Sequence, residues 1–468
     1  MLTTRRLFIA IFFVALFTFA TREISDPDFW WHLRTGQFIV ETRAIPHADI
    51  FSFTNAGRPW VTHEWLAEVL IYALYALGGF PALILAFAAL IALAFVVLYA
   101  RMPGKPYVAA FAVLLAALTT APTFGARPQM FTLLLASVFL YLLDQRRALW
   151  LLPPLMILWV NLHSGYALGI VLIAVYLCGD IVEDLTLRST FRVSHSRLLV
   201  FVLCVGAVLL NPNGAAMYVY PFETLTSRAM QAYIQEWFSP DFHQIEFQPF
   251  AWLLLGTLVA LALGGKRVTL THAILLAGFG YAALRSARNI PFFALVAAPV
   301  LAEQVWHWLA SRVAIPPART SRAVSIVNGG ILALVVLASA ARVATVIANQ
   351  PAVERAKYPT AAVDFLQTRV VPASLYNAYG WGGYLIWRLY PQTRVFIDGR
   401  ADVYGDVFIE EVYLKAYRGG AEWRAPLEQY AVRVVLIESG APLAERLSGA
   451  VEWDKVYADH QAVIFVKR

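Results

Sequence analysis

Two carboxylates two residues apart, Asp26 and Asp28, stand after the first apolar stretch and open onto Phe29-Trp30-Trp31-His32-Leu33-Arg34. Paired oxygen donors can hold a hard divalent cation such as Mg or Mn, or one of them can take a proton from an acceptor. Arginines able to grip a phosphate by charge-assisted hydrogen bonds recur later, at Arg127, Arg285 and Arg288. Further polar residues that could line the same site are His32, Arg34, His63, Glu64, His163 and Glu236. Neighbouring aromatic rings can stack on sugars. Together these types suit a lipid-phosphate donor that loses its sugar at a membrane surface.

Each group also has a plainer reading. Asp26 can cap a helix opening at Asp28. Asn211-Pro212-Asn213-Gly214 reads as a turn at a helix end. Arg285 and Arg288 can snorkel to lipid phosphates, and His163 can be a hydrogen-bonded structural histidine. Trp30 and Trp31 can anchor a membrane interface. The plainer readings weaken jointly, because the polar residues fall in separate segments that the topology places on one face of the membrane.

That topology follows from composition. The chain has 468 residues, 60% hydrophobic and 14% charged, which excludes a soluble enzyme, a disordered chain or a nucleic-acid binder as a first reading. Its net charge of +7 is not spread evenly. Residues 350–468 carry 14 basic and 14 acidic residues, whereas residues 1–349 carry 23 and 16. Uncharged runs at Leu7–Thr21, Val69–Ala100, Pro106–Ala126, Pro128–Leu143, Ala148–Gly179, Leu198–Phe222, Phe247–Gly265, Val268–Leu284, Asn289–Ala302 and Ala323–Ala341 are candidate spans. Ala148–Gly179 breaks at Asn161–Gly165 to give two. Val69–Ala100 breaks at Gly78-Gly79-Phe80-Pro81, and its first half, about His63–Leu77, is expected to lie along the outer interface with Trp60, Trp65, Tyr72 and Tyr75.

Eleven spans result. Arg5/Arg6, Arg101/Lys105, Arg146/Arg147, Arg188/Arg192/Arg197, Lys266/Arg267 and Arg312/Arg319/Arg322 then fall in the cytoplasm, 14 of the 23 basic residues, as the positive-inside rule requires. The N-terminus is expected inside and residues 350–468 outside. The first apolar segment is expected to be retained as a helix, since Phe17-Thr18-Phe19-Ala20 is a poor signal-cleavage site. Cys178 and Cys204 sit in apolar runs and form no disulfide or zinc pattern.

Residues 350–468 change texture. β-rich runs at Ala373–Tyr376, Arg394–Asp398, Arg433–Glu438, Val451–Tyr457 and Ala462–Lys467 alternate with helical stretches near Thr360–Gln367, Trp381–Leu389 and Ile409–Ala416. This predicts a small extracytoplasmic α/β domain.

The stretch Asp28-Phe29-Trp30-Trp31-His32-Leu33-Arg34 resembles the first outer-loop motif of GT-C membrane glycosyltransferases, especially catalytic subunits of archaeal oligosaccharyltransferases. In that family the Asp matched by Asp28 serves catalysis and metal binding. Asp26 fits the acidic pair of the protein-mannosyltransferase branch, so the resemblance leaves both open. Tyr233-Ile234-Gln235-Glu236 resembles the loop motif whose Glu contacts the acceptor and the catalytic centre, and Arg288 resembles the late-helix Arg near the substrate. Tyr379-Gly380-Trp381-Gly382-Gly383-Tyr384 with Asp398-Gly399-Arg400 is similar to the Trp-Asp-Tyr-Gly region of the outer domain. One departure matters. Gly382, not Asp, follows Trp381, so the resemblance carries fold and chemistry but no asparagine-sequon acceptor.

The resulting expectation is a polytopic α-helical membrane protein of GT-C type. It would have about eleven transmembrane helices, an interfacial helix pair in the first outer loop (22–80) and a small C-terminal α/β domain. Residing in the cytoplasmic membrane, it would be an inverting glycosyltransferase. Its donor would be a polyprenyl-phosphate-linked sugar and its acceptor an outer glycan, lipid or protein. Asp28 and Asp26 would be catalytic or hold a divalent cation; Arg127, Arg285 and Arg288 would bind the donor phosphate. The rival readings are a transporter or flippase of lipid-linked sugars and a non-catalytic envelope protein. A flippase needs polar residues along a path to the cytoplasmic side, and the acids there (Asp144, Asp180, Glu183, Asp184, Glu303) read as helix ends.

Overall fold

The computed structural model describes residues 1–188, 195–310, 312, 321–369 and 374–468. Arg192, Arg319 and Ala373 lie outside the described residues. The chain forms two compact units, each assembled from three separate segments. The first comprises Met1–Arg22, Leu83–Gly214 and Gln235–Ala348; the second comprises Glu23–Ala82, Ala215–Ile234 and Asn349–Arg468.

The first unit is helical. Among the described residues, six helices of the chain are long and apolar enough to cross a membrane: Trp65–Ala100, Pro106–Thr123, Tyr166–Glu183, Ile245–Gly264, Ala287–Ala310 and Arg322–Lys357. Shorter apolar helices run over Gln129–Gln145, Leu149–Leu162, His195–Leu210 and Leu270–Arg285, and Thr4–Ala20 is a further helix. The breaks read in the sequence are present. Gly79 takes φ 61 within Trp65–Ala100, a conformation open to glycine, and the chain turns extended at His163 between two helices. The uncharged run Leu198–Phe222 is not one helix as expected. Helix Ala216–Thr226 is separate, because Pro212 lacks a donor, Gly214 takes φ 54 and Asn211 Oδ1 accepts the Asn213 N–H at 2.9 Å.

Within this unit a buried arginine repairs a helix defect. Pro299 lies inside helix Ile290–Ala310, so the carbonyl four residues before it, that of Leu295, loses its helical donor. Arg101 Nη1 donates to that carbonyl at 2.5 Å. The same guanidinium is balanced by Asp144, with Nε to Oδ2 at 2.7 Å.

The second unit contains a four-stranded sheet in the order β1-β2-β4-β3. β1 is Leu375–Asn377, β2 Val434–Glu438, β3 Trp453–Ala458 and β4 Ala462–Lys467. β1 and β2 are parallel, with Tyr376 opposite Val435; β2–β4 and β4–β3 are antiparallel. Four of the expected strands are present. The fifth, Arg394–Asp398, makes only isolated bridges from Val395 to Ser52 and Leu375. The asparagine side chain of Asn377 accepts the Phe396 N–H at 2.9 Å in place of a strand neighbour. Helices Thr360–Arg369 and Gly382–Leu389 match the helical stretches, and Phe408–Tyr413 is a π-helical turn.

One ion-pair cluster is central to this unit. Arg400 is 2% exposed. Its Nε donates to Asp398 Oδ1 at 2.8 Å, and its Nη2 to Asp398 Oδ2 at 2.7 Å and to Asp49 Oδ1 at 2.8 Å. Tyr404 Oη donates to Asp398 Oδ2 at 2.7 Å, and the guanidinium lies 4.5 Å from the Trp60 ring centre. Removing one member of a buried pair strands the others without water. Arg400→Ala should therefore cost about 3–5 kcal/mol of stability, read from denaturant unfolding of the detergent-solubilised protein. A loss below about 1 kcal/mol, the range of exposed pairs, would show the cluster to be dispensable.

Candidate functional site

In the second unit the two aspartates do different work. Asp26 Oδ1 accepts the Asp28 N–H at 2.9 Å, the turn-forming role expected of a short acidic side chain before a helix. Asp28 stands at the N-terminus of helix Phe29–Thr42 but makes no capping bond with its side chain. Its carboxylate is instead contacted by Trp31 Nε1, at 3.3 Å from Oδ1. It also lies so close to Gly399 that a Cβ there would overlap Oδ1. Gly383 has a similar role, since a Cβ would press on the Pro27 carbonyl. Glycines of the C-terminal motifs thus make room for the backbone and carboxylate of the acidic motif.

His32, one turn along the helix, is buried and packed against Trp31 with ring centres 3.6 Å apart and the rings tilted by 35°. Its Nδ1 faces Glu68 Oε1 at 3.4 Å and Glu64 Oε2 at 3.6 Å. Glu64 Oε1 meets His63 Nε2 at 2.8 Å, and the His63 ring packs on Tyr220 at 4.3 Å. Tyr220 Oη donates to Asp402 Oδ2 at 3.2 Å. His32, His63 and Glu64 are thereby joined by Glu68, Tyr220 and Asp402, which the sequence reading did not single out. Glu68 carried a signal, being a lone acid four residues beyond Glu64 on an apolar helix. Tyr220 and Asp402 lay in no motif. Arg34 is held elsewhere, by Gln37 Oε1 at 2.5 Å and the Tyr390 carbonyl at 3.3 Å.

His63 is charged more readily than an ordinary histidine. Burial alone would lower its pKa, but the Glu64 carboxylate, with its hydrogen bond, and the Asp402 charge outweigh that and raise it above 6.5. Burial raises Asp402 above the usual aspartate value, against the opposing pull of His63 and Arg400.

In the first unit Glu236 lies between two arginines. Arg127 Nη1 is 3.3 Å from Glu236 Oε2, and Arg288 Nη1 is 3.9 Å from Oε1. The Arg288 guanidinium sits 4.2 Å over the Trp237 ring. Backbone positions 236–238 are tied to the loop before helix Ile290–Ala310: Ser286 Oγ donates to the Glu236 carbonyl at 3.0 Å and the Ala287 N–H to the Phe238 carbonyl at 2.9 Å. Arg127, Glu236 and Arg288 are therefore together, whereas Arg285 is exposed and takes part through its carbonyl, which accepts Ser239 Oγ at 3.2 Å. His163 has a helix-joining task. Its Nδ1 accepts the Gly165 N–H at 2.9 Å and lies 2.8 Å from Thr132 Oγ1, which itself accepts Trp159 Nε1 at 2.8 Å. An accepting Nδ1 leaves the ring proton of neutral His163 on Nε2.

Among the described residues, no three His, Cys, Asp or Glu side chains gather as a metal cage. Magnesium asks for less, binding through one or two carboxylates together with water and substrate phosphate oxygens. Asp26 and Asp28, adjacent and joined through the Asp28 N–H, are of that chemical type.

No known family pattern matches the sequence, and no curated protein is similar to it in sequence. Solved structures are similar in fold. The oligosaccharyltransferase AglB of Archaeoglobus fulgidus, in complex with an inhibitory peptide and a dolichol-phosphate, matches over 92% of this chain and 69% of its own, with TM-score 0.54 and 11% identity. The mycobacterial arabinofuranosyltransferase AftD matches over 99% of this chain and 40% of its own, with TM-score 0.53 and 15% identity. ArnT of Cupriavidus metallidurans matches over 97% and 95%, with TM-score 0.50 and 15% identity. These are GT-C glycosyltransferases, and this chain has the helical GT-C membrane fold. At such identities the likeness is one of fold.

A raised pKa means that the folded state holds the proton more tightly than the unfolded chain. The stabilisation from His63 is therefore complete below its ordinary value of 6.5 and is lost as pH rises through the higher folded value. Asp402, also raised, acts in the same direction from 3.8 upward. Thermal stability should fall as pH is raised from about 6.5, and His63→Gln should flatten that decline. An unchanged slope in the variant would exclude His63 as its source.

Proposed function

We propose that the protein is a membrane glycosyltransferase that moves a sugar from a polyprenyl-phosphate carrier to an extracytoplasmic acceptor hydroxyl, with inversion at the anomeric carbon. The observation that carries this reading is the division of labour between the two aspartates. Asp26 Oδ1 closes the turn onto the Asp28 N–H, while the Asp28 carboxylate is turned toward Trp31 Nε1 and Gly399, in the position that GT-C motifs give their catalytic Asp. Supporting it is the Arg127–Glu236–Arg288 group, a pair of guanidiniums suited to phosphate. The dolichol-phosphate bound by the similar AglB supports a lipid-phosphate donor.

In this reading Asp28 accepts the proton of the acceptor hydroxyl as its oxygen attacks the anomeric carbon. The bond from that carbon to the phosphate oxygen breaks, and the electron pair leaves with the lipid phosphate. Arg127 and Arg288 take up the developing negative charge, which is where fixed cations lower the barrier. Arg285 contributes charge at the same surface. His32, His63 and Glu64 hold the groups along the acidic-motif helix in place, while Arg34 and His163 act in their own segments. The alternative role for Asp28 and Asp26 is to hold a divalent cation, which would supply neutralisation of the phosphate in place of proton acceptance by Asp28. The acidic motif and residues 350–468 lie outside, and the N-terminus is cytoplasmic.

A general base contributes about 100- to 10,000-fold. Asp28→Asn should therefore lower sugar transfer from a polyprenyl-phosphate donor by about 100-fold or more, without loss of fold. Asp26→Asn keeps an accepting oxygen for the turn and should retain most activity. Full activity in Asp28→Asn would remove the catalytic assignment, and a flippase would move the intact donor in both variants. Orientation has its own check. Alkaline phosphatase fused after Arg468 should be active, and the same enzyme fused into the Lys266–Arg267 turn inactive; the reverse pattern would invert the topology.

A further inference from the structure

The carboxylate of Glu236 engages the two arginines assigned to the donor phosphate, one oxygen to each. Oε2 lies 3.3 Å from Arg127 Nη1 and Oε1 lies 3.9 Å from Arg288 Nη1. A carboxylate and a phosphate present the same feature to a guanidinium, two oxygens sharing negative charge across a planar fork of N–H donors. Two anions do not share one such fork without repulsion. We infer that Glu236 is an internal stand-in for the donor phosphate: it occupies the arginine pair while the donor is absent, and the phosphate displaces it on binding.

Three observations support the exchange. First, the group is accessible, the side chains of Arg127, Glu236 and Arg288 being 22%, 31% and 30% exposed. Ion pairs so open to water are held by about 1 kcal/mol or less, weak enough for a lipid phosphate to compete. Second, the arginine can stay while the acid leaves. Arg288 rests on the Trp237 ring at 4.2 Å, and Trp237 belongs to the same short 3-10 turn, Gln235–Trp237, as Glu236. Third, the turn is anchored by its backbone rather than by the carboxylate: the Glu236 carbonyl accepts Ser286 Oγ and the Phe238 carbonyl accepts the Ala287 N–H. Rotation of the Glu236 side chain therefore breaks neither anchor.

The consequence is a plug. Any anion entering must replace a carboxylate already in place, so each anion binds up to about fivefold more weakly, and one of the two positive charges is balanced between turnovers. Once displaced, Glu236 becomes a mobile acid beside the bound phosphate, where its negative charge favours departure of the lipid phosphate after transfer.

This inference rests on the donor-phosphate reading of Arg127 and Arg288, and binding measurements separate the two. The probe is a polyprenyl monophosphate titrated into the full-length detergent-solubilised protein, by calorimetry or by quenching of tryptophan fluorescence. Glu236→Gln keeps the size of the side chain and one accepting oxygen and removes its charge. It should bind the probe about three- to fivefold more tightly than the wild type, while Arg288→Gln binds it more weakly. If Glu236→Gln binds equally or more weakly and Arg288→Gln is still impaired, the arginines hold the phosphate but Glu236 is no stand-in. If neither variant differs from the wild type, the arginine pair is not the phosphate site and the inference falls with that reading. Glu236→Ala, which removes the side chain's contacts as well, should reproduce the tightening; a loss there alongside a gain in the Gln variant would show that the amide makes a new contact with the probe, which would also overturn the inference.

Discussion

A guanidinium with 2% exposure cannot stand without carboxylates, and in the second unit Arg400 draws them from two distant parts of the chain. Asp398 is two residues away and Asp49 is 351 residues away in sequence. The cost of burying three charges is recovered only when all are in register and hydrogen-bonded. The cluster therefore acts as a registry device: it accepts one arrangement of the segment around Asp49 against the segment around Asp398 and makes neighbouring arrangements expensive. Trp60 and Phe51 cover the guanidinium at 4.5 and 5.1 Å, so a slipped arrangement would also expose aromatic surface.

The position of Asp28 follows from this registry. Gly399 lies between Asp398 and Arg400, and it is against Gly399 that the Asp28 carboxylate rests. Any movement of the Asp398–Arg400 segment would move the floor beneath Asp28. The buried His32, Glu64, Glu68 and His63 add a second constraint further along the same helix. Their partners are titratable, so the local charge depends on how protons distribute among them. Asp28 thus has rigid backbone packing on one flank and, along its own helix, a proton-bearing network beginning at His32.

Much of this was legible in the sequence where a residue's own chemistry forces a local structure. The breaks at Gly79 and His163, the turn at Asn211–Gly214 and four of the strands in the C-terminal region follow from glycine, proline, asparagine and β-branched patterning. The acidic motif stood out because carboxylates are rare in so apolar a chain. What was not legible depends on tertiary pairing. Arg394–Asp398 has strand composition, but the Asn377 side chain takes the backbone hydrogen bond at Phe396 that a strand neighbour would make. Leu198–Phe222 is apolar throughout, yet its last part belongs to a different unit. Asp402 and Tyr220 reach His63 from segments without any motif, and no local pattern could have joined them.

The glycines of the C-terminal motifs carry the last lesson. In Tyr379–Tyr384 and Asp398–Arg400 the small residues have an immediate steric task. A Cβ at Gly382 would strike the Ile397 carbonyl, one at Gly383 the Pro27 carbonyl and one at Gly399 the Asp28 carboxylate. A carboxylate side chain after Trp381 would have no room beside Ile397 and Asp398, and its charge would oppose Asp398. Two of these glycines, Gly383 and Gly399, seat the backbone and carboxylate of the acidic motif, so their small size serves close contact rather than chain flexibility.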